Sequence, residues 1–184
     1  MAGTGEYGHE ADDRRPSERA QAHGYDYCIL LENIAWQFSS SDFTTEKLAQ
    51  KVVQGWKESN EHRRNLLDSD VTEIGVAVAR GEPDGKYFAV QMFGRPQSKR
   101  LLFQVANRGE GEVRYRLREG DQEEMFTLPP RYTRTHRRCR TPQLDFLWDQ
   151  QHPPITPRDG RQYRVTGGRA SEFKVRTAPI AAED

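Results

Sequence analysis

The chain has 184 residues, 34% hydrophobic and 30% charged, and its 28 basic and 28 acidic side chains cancel to a formal net charge of zero. That length suits one ordinary domain or two small ones, and the aromatic content (8 Phe, 7 Tyr, 3 Trp) argues against a disordered chain. The charge balance argues against a globally basic nucleic-acid binder, no apolar run reaches transmembrane length, the opening residues do not read as a signal peptide, and two cysteines exclude a disulfide-dense scaffold.

In chain order, residues 1–15 read as irregular and Pro16–His23 as a short helix closed by Gly24. The segment Tyr25–Phe38 holds the apolar run Cys28-Ile29-Leu30-Leu31, interrupted by Glu32 and Asn33. A carboxylate inside an apolar run is costly to bury unless something satisfies it, so Glu32 stands out at once. Phe43–Lys57 is the clearest helix, with Leu48, Ala49, Val52, Val53 and Trp56 forming one apolar stripe behind a cap at Thr44 or Thr45. Ser59 or Asn60 caps a second short helix through Leu67. Ile74, Val76 and Val78 alternate with Gly75, Ala77 and Ala79 as a strand, Pro83-Asp84-Gly85 is a turn, and Tyr87–Phe93 returns as the second strand of a hairpin.

Beyond Gly94-Arg95-Pro96-Gln97-Ser98 the texture changes to short strand-like runs at Leu101–Val105, Val113–Leu117, Met125–Leu128, Leu144–Trp148, Tyr163–Val165 and Phe173–Val175, with a frayed end from Ala178. The charge changes at the same place: residues 1–96 hold 11 basic and 16 acidic side chains, net −5, and residues 97–184 hold 17 and 12, net +5. We therefore expect two domains, 1–96 and 97–184. The first is α+β, with helices flanking an antiparallel sheet, and the second is a small all-β, sandwich-like unit.

Four segments carry a family resemblance: Leu31-Glu32-Asn33-Ile34-Ala35; Trp56 followed by Ser59 and His62-Arg63; Val71-Thr72-Glu73-Ile74-Gly75-Val76-Ala77; and Tyr87-Phe88-Ala89-Val90-Gln91-Met92-Phe93-Gly94. In order and spacing, residues 7–94 resemble the CAP superfamily (cysteine-rich secretory, antigen-five and pathogenesis-related proteins) in its bacterial branch. Leu31 stands where that pattern has glycine and Asn60 where it has proline. Tyr7-Gly8-His9, Arg19 and Gly24-Tyr25 match the stretch after the family's first helix, so the resemblance implies a domain lacking that helix, with apolar surface left uncovered.

The resemblance implies a cleft of two histidines and two acidic residues, holding a divalent metal such as Zn²⁺ in some members. Carried over by position, these are His9, Glu32 and His62. The fourth place falls on Ser59, which leaves Glu58, one step earlier, as the acidic candidate and Glu61 as its neighbour. Imidazoles and carboxylates suit zinc, with His9 and His62 as ligands, and such a site could activate water with Glu32 as base. Taken without the family, His9 and His62 have no diagnostic metal spacing, and His62 with Glu32 reads equally as a buried pair pinning a helix to the sheet.

Elsewhere, Arg131, Arg134, Arg137, Arg138 and Arg140 form a basic run fit for phosphate, an anionic glycan or nucleic acid, for docking on the acidic first domain, or simply for a solvated edge. Cys28 and Cys139 would form one disulfide in an oxidising compartment, or remain separate thiols. The function that the resemblance implies is a secreted, periplasmic or cell-surface binding protein whose His9/Glu32/Glu58/His62 cleft takes a metal, a small apolar ligand (lipid or glycan) or a protein partner. The rivals are a metal-dependent hydrolase using Glu32 and a cell-wall or glycan module using the arginine run; a nucleic-acid partner is not expected.

Overall fold

The structure, a computed structural model, describes residues 1–82, 85–148, 152–168 and 173–181. The chain divides into two compact units, Met1–Ser98 and Lys99–Asp184. The architecture is α+β.

In the first unit, α1 (Pro16–Ala22) begins with proline at its first turn and carries Glu18 there, where the dipole favours acid. It leads into β1 (Tyr27–Gln37), an eleven-residue strand. Thr44 caps α2 (Thr45–Glu58) by accepting the backbone N–H of Lys47, and Ser59 caps α3 (Asn60–Leu66) by accepting that of His62. Strands β2 (Glu73–Arg80) and β3 (Tyr87–Pro96) complete an antiparallel sheet in the order β1-β3-β2. The expected turn between them falls on Pro83 and Asp84, which lie outside the described residues.

Strand alternation gives this sheet two faces. One holds Asn33, Ala35, Gln91, Ala89, Val76 and Val78 in register. Helix α2 lays Leu48, Val52 and Trp56 on it around Ala89, with Ala35, Phe43, Leu66 and Tyr87 at the margin. The Trp56 indole N–H donates to Ile34 O at 3.0 Å, so the ring is fixed as well as buried. The opposite face holds Glu32, Ile34, Met92, Val90, Gly75 and Ala77. There the N-terminal segment lies along β1, where the Tyr7 hydroxyl donates to Ile34 O. Every residue of β2 is exposed, including Ile74 and Val76 at 62% and Val78 at 53%. The strand pattern expected here is present, but β2 is the outer strand of its sheet and little covers either of its faces.

The second unit packs two sheets on one core. The four-stranded sheet runs β10-β9-β4-β7, from β10 (Lys174–Pro179), β9 (Arg161–Thr166), β4 (Leu101–Asn107) and β7 (Thr133–Arg138). The three-stranded sheet runs β6-β5-β8, from β6 (Gln122–Leu128), β5 (Val113–Glu119) and β8 (Gln143–Phe146). Phe103, Val105, Tyr163 and Val165 of one sheet meet Tyr115, Leu117, Leu144 and Phe146 of the other in a continuous core. Strands β4 and β9 pair in parallel; the other pairings are antiparallel.

Two sequence readings change here. Strand β7 escapes hydrophobic patterning because only His136 of its six residues is buried. The end of the chain is more ordered than expected through Pro179, since Ala178 and Pro179 pair with Gln162 and Arg161.

Candidate functional site

The expected site residues divide into those the fold assembles around Glu32 and those it leaves apart. Glu32 lies at the centre of β1 with its side chain only 2% exposed. His9 Nδ1 donates to Glu32 Oε1 at 2.7 Å, and Arg19 Nη2, carried on α1, donates to Glu32 Oε2 at 2.5 Å. Arg19 Nη1 also reaches His9 O at 2.8 Å, Arg14 O at 2.7 Å and Asp12 Oδ1 at 3.0 Å. One guanidinium thus ties the N-terminal segment to itself and to the sheet. Asp12 feels some desolvation, which Arg14 and Arg19 outweigh, so its carboxyl is held below the usual carboxylate range.

His62 is placed differently. The cap at Ser59 and a hydrogen bond from Asn33 Nδ2 to His62 O (3.1 Å) fix its backbone. The partners of Glu32 are His9 and Arg19 rather than the His62 ring. What pins α3 to β1 is an asparagine pair: Asn65 Nδ2 donates to Asn33 Oδ1 at 2.8 Å and to Glu32 O at 3.2 Å. Asn33 is fully buried and also donates to Gln91 Oε1. Glu58 is exposed at the end of α2 and accepts from Gln54 Nε2 at 2.6 Å. Glu61 is exposed as well.

A divalent ion needs donor atoms that are unspent and turned to one point. Both oxygens of Glu32 are already spent on His9 and Arg19. Among the described residues, no three His, Cys, Asp or Glu side chains are grouped so as to hold a metal. Glu32 is thus committed to His9 and Arg19 rather than turned to an open coordination point.

Beside this cluster lies an open apolar hollow of about 240 Å³. Ala77, Ala79, Phe88 and Val90 form its sheet side, and Gly8, Ala11, Asp12 and Arg19 its polar margin. A second hollow on the sheet lies near Tyr25, Leu30, Met92 and Gly94. Tyr25 lies so close over Gly94 that any Cβ there would collide with its ring, and its hydroxyl donates to Glu73 Oε2 at 2.8 Å. Burial and the Glu73 carboxylate push the Tyr25 hydroxyl up to about 12.

In the second unit the basic run is divided. Arg134 stacks over the Phe126 ring and Arg138 holds both oxygens of Glu124, while Arg137 alternates to the opposite face of β7. Arg131 precedes β7 with φ +67°, and Arg140 follows it. The run is therefore no single surface. Neither Cys28 nor Cys139 is a free thiol.

Sequence reasoning missed Arg19 as the partner of Glu32. The available signal was the carboxylate itself, which requires a cation once it is placed in an apolar strand. No helix among the described residues is long and apolar enough to cross a membrane. No curated protein and no solved structure matches the chain. Residues 4–93, nearly the whole of the unit that carries the Glu32 cluster, match the model of the cysteine-rich secretory protein family, CAP, and it is to that family that the N-terminal unit is similar.

Proposed function

We propose that the N-terminal unit is a non-catalytic, extracytoplasmic CAP-type interaction domain. Its ligand is a small apolar or amphipathic molecule, seated on the sheet face that carries Glu32. The observation that carries this reading is the pairing of an apolar hollow with a spent carboxylate. Phe88, Val90 and Ala79 offer contact to an apolar body, and the charged Arg19–Asp12 pair gives the hollow a polar rim. Glu32, tied through both oxygens, holds the N-terminal segment that walls the hollow.

A general base must have an oxygen within reach of a substrate proton. Both Glu32 oxygens are engaged, so the hydrolase reading has less support than the binding one. The family match supports an interaction role and an extracellular setting in the same coarse sense.

The test is titration of the intact protein with a fluorescent fatty acid and, separately, a fluorescent sterol. Saturable binding is expected, and Ala77→Arg, at an exposed position on the hollow, should weaken it by about tenfold or more. Equal binding by the variant, or no saturable binding of either probe, would reject the reading.

A further inference from the structure

The outer surface of the four-stranded sheet in the second unit has a charge pattern that its structural role does not require. Along β4, β7, β9 and β10, alternation turns Phe103, Val105, His136, Tyr163 and Val165 to the core. The outward set in the register is Leu102, Gln104 and Ala106; Thr133, Thr135 and Arg137; Gln162, Arg164 and Thr166; and Lys174, Arg176 and Ala178. No acidic residue occurs in that set. Arg108 continues the β4 alternation past its end, and its guanidinium donates to Thr133 Oγ1 and Arg131 O.

The five cations on this side, Arg108, Arg137, Arg164, Lys174 and Arg176, are all exposed. None of them has a carboxylate partner among the described residues. The unit does not lack acid. Arg116 of β5 meets Asp145 and Glu123, Arg118 meets Asp145, and Arg138 meets Glu124. Arg164 and Arg176 are direct register partners on neighbouring strands, an arrangement in which like charges repel.

A line of side-chain hydrogen bonds crosses the same surface. Gln162 Nε2 donates to Gln104 Oε1 at 2.7 Å, and Gln104 Nε2 donates to Thr135 Oγ1 at 3.2 Å. Gln162 Oε1 accepts from Arg164 Nε at 2.5 Å, which holds that guanidinium in place. The result is a pre-organised row in which buried Gln162 braces half-buried Gln104 beside the exposed Thr133 and Thr135, bordered by unneutralised guanidinium groups.

We propose that this face binds an acidic polysaccharide. Guanidinium groups suit carboxylates and sulfates, and the exposed Thr133 and Thr135 hydroxyls with the Gln104 amide suit the hydroxyls between them. A single-stranded nucleic acid would call for aromatic platforms, and the outward set contains none. A membrane surface would call for insertable apolar side chains, and Leu102, half-buried, is the only large one. The proposal is independent of the ligand assigned to the first unit, because it uses no residue before Leu102.

The experiment is a titration of the full chain with heparin and with alginate at several salt concentrations. A salt-sensitive Kd is expected for both. Arg164→Gln with Arg176→Gln should weaken binding by about tenfold, and Arg63→Gln with Arg64→Gln, on the exposed helix of the first unit, should not change it. Arg137→Gln with Lys174→Gln serves as a second, separately placed pair in case the first perturbs folding; a thermal melt checks each variant. The proposal is overturned if neither polysaccharide binds, if folded variants bind like the wild type, or if single-stranded DNA or phosphatidylserine vesicles bind more tightly than the polysaccharides.

Discussion

Arg19 Nη2 meets Glu32 Oε2 at 2.5 Å, and the carboxylate it meets is almost wholly out of solvent. The two residues fix α1 and the N-terminal segment against β1. Removing only the cation strands a buried negative charge, which costs about 3–5 kcal/mol. Arg19→Ala should therefore destabilise the first unit by roughly that amount, whereas Glu32→Gln, which removes the charge itself, should cost less. Amide exchange along β1, measured in both variants, tests the order. A smaller loss for Arg19→Ala than for Glu32→Gln would contradict this account of the pair.

Zinc should leave the protein's thermal midpoint unchanged. A ligand selective for the folded state must raise it, and the Glu32 cluster has no unspent carboxylate oxygen to offer. The measurement is a melt with and without Zn²⁺, for the wild type and His62→Ala. A rise in the wild type that disappears in His62→Ala would establish a metal site that this geometry does not account for.

His136 makes the second unit sensitive to acid. Its Nε2 shares a 2.8 Å hydrogen bond with the Tyr115 hydroxyl, and its ring stacks on Phe103. Burial, reinforced by Arg138 and Arg134 and opposed by Glu124, pulls the imidazole from 6.5 down to about 4. Between those values the unfolded chain takes up a proton that the folded unit refuses. Stability from this group is complete above pH 6.5 and falls as the pH drops toward about 4, by a total on the order of 3 kcal/mol. Urea unfolding across that range should show the slope in wild type and lose most of it in His136→Gln. An unchanged slope in the variant would assign the effect to other groups.

The pairing of Cys28 with Cys139, expected of an oxidising compartment, has a direct mass test. Protein made under oxidising conditions should resist thiol alkylation until reduced, and its intact mass should be lighter by a pair of hydrogens. Full alkylation before reduction would exclude the bond.

Much of this fold is legible locally. Leu48, Val52 and Trp56 fall on one helical stripe and are the residues buried in α2, and Thr44 and Ser59 cap where their chemistry indicates. The alternation of β2 is legible too, but its exposure is not, because burial depends on what covers a strand rather than on its own pattern. The five arginines near residue 135 read as one patch in sequence. Strand alternation separates Arg137 from Arg134 and Arg138, and it creates a basic face from Arg164, Lys174 and Arg176, which are distant in sequence. Glu32 announces itself as a carboxylate in an apolar run, but its cation lies on another element, and only the tertiary fold identifies Arg19.

The parallel pairing of β4 with β9 has a consequence for how the protein is made. Gln104 and Gln162, side by side in the sheet, are 58 residues apart in the chain. β4 and β9 are the two inner strands of the order β10-β9-β4-β7, and β9 also supplies Tyr163 and Val165 to the core. A ribosome that has released the chain only as far as residue 160 has exposed five of the unit's seven described strands, with one edge of β4 bare. The first unit has all its strands by Pro96 and can close while synthesis continues. The second must wait for β9 and β10, so a ribosome stalled before them leaves an adhesive sheet edge rather than a shortened domain.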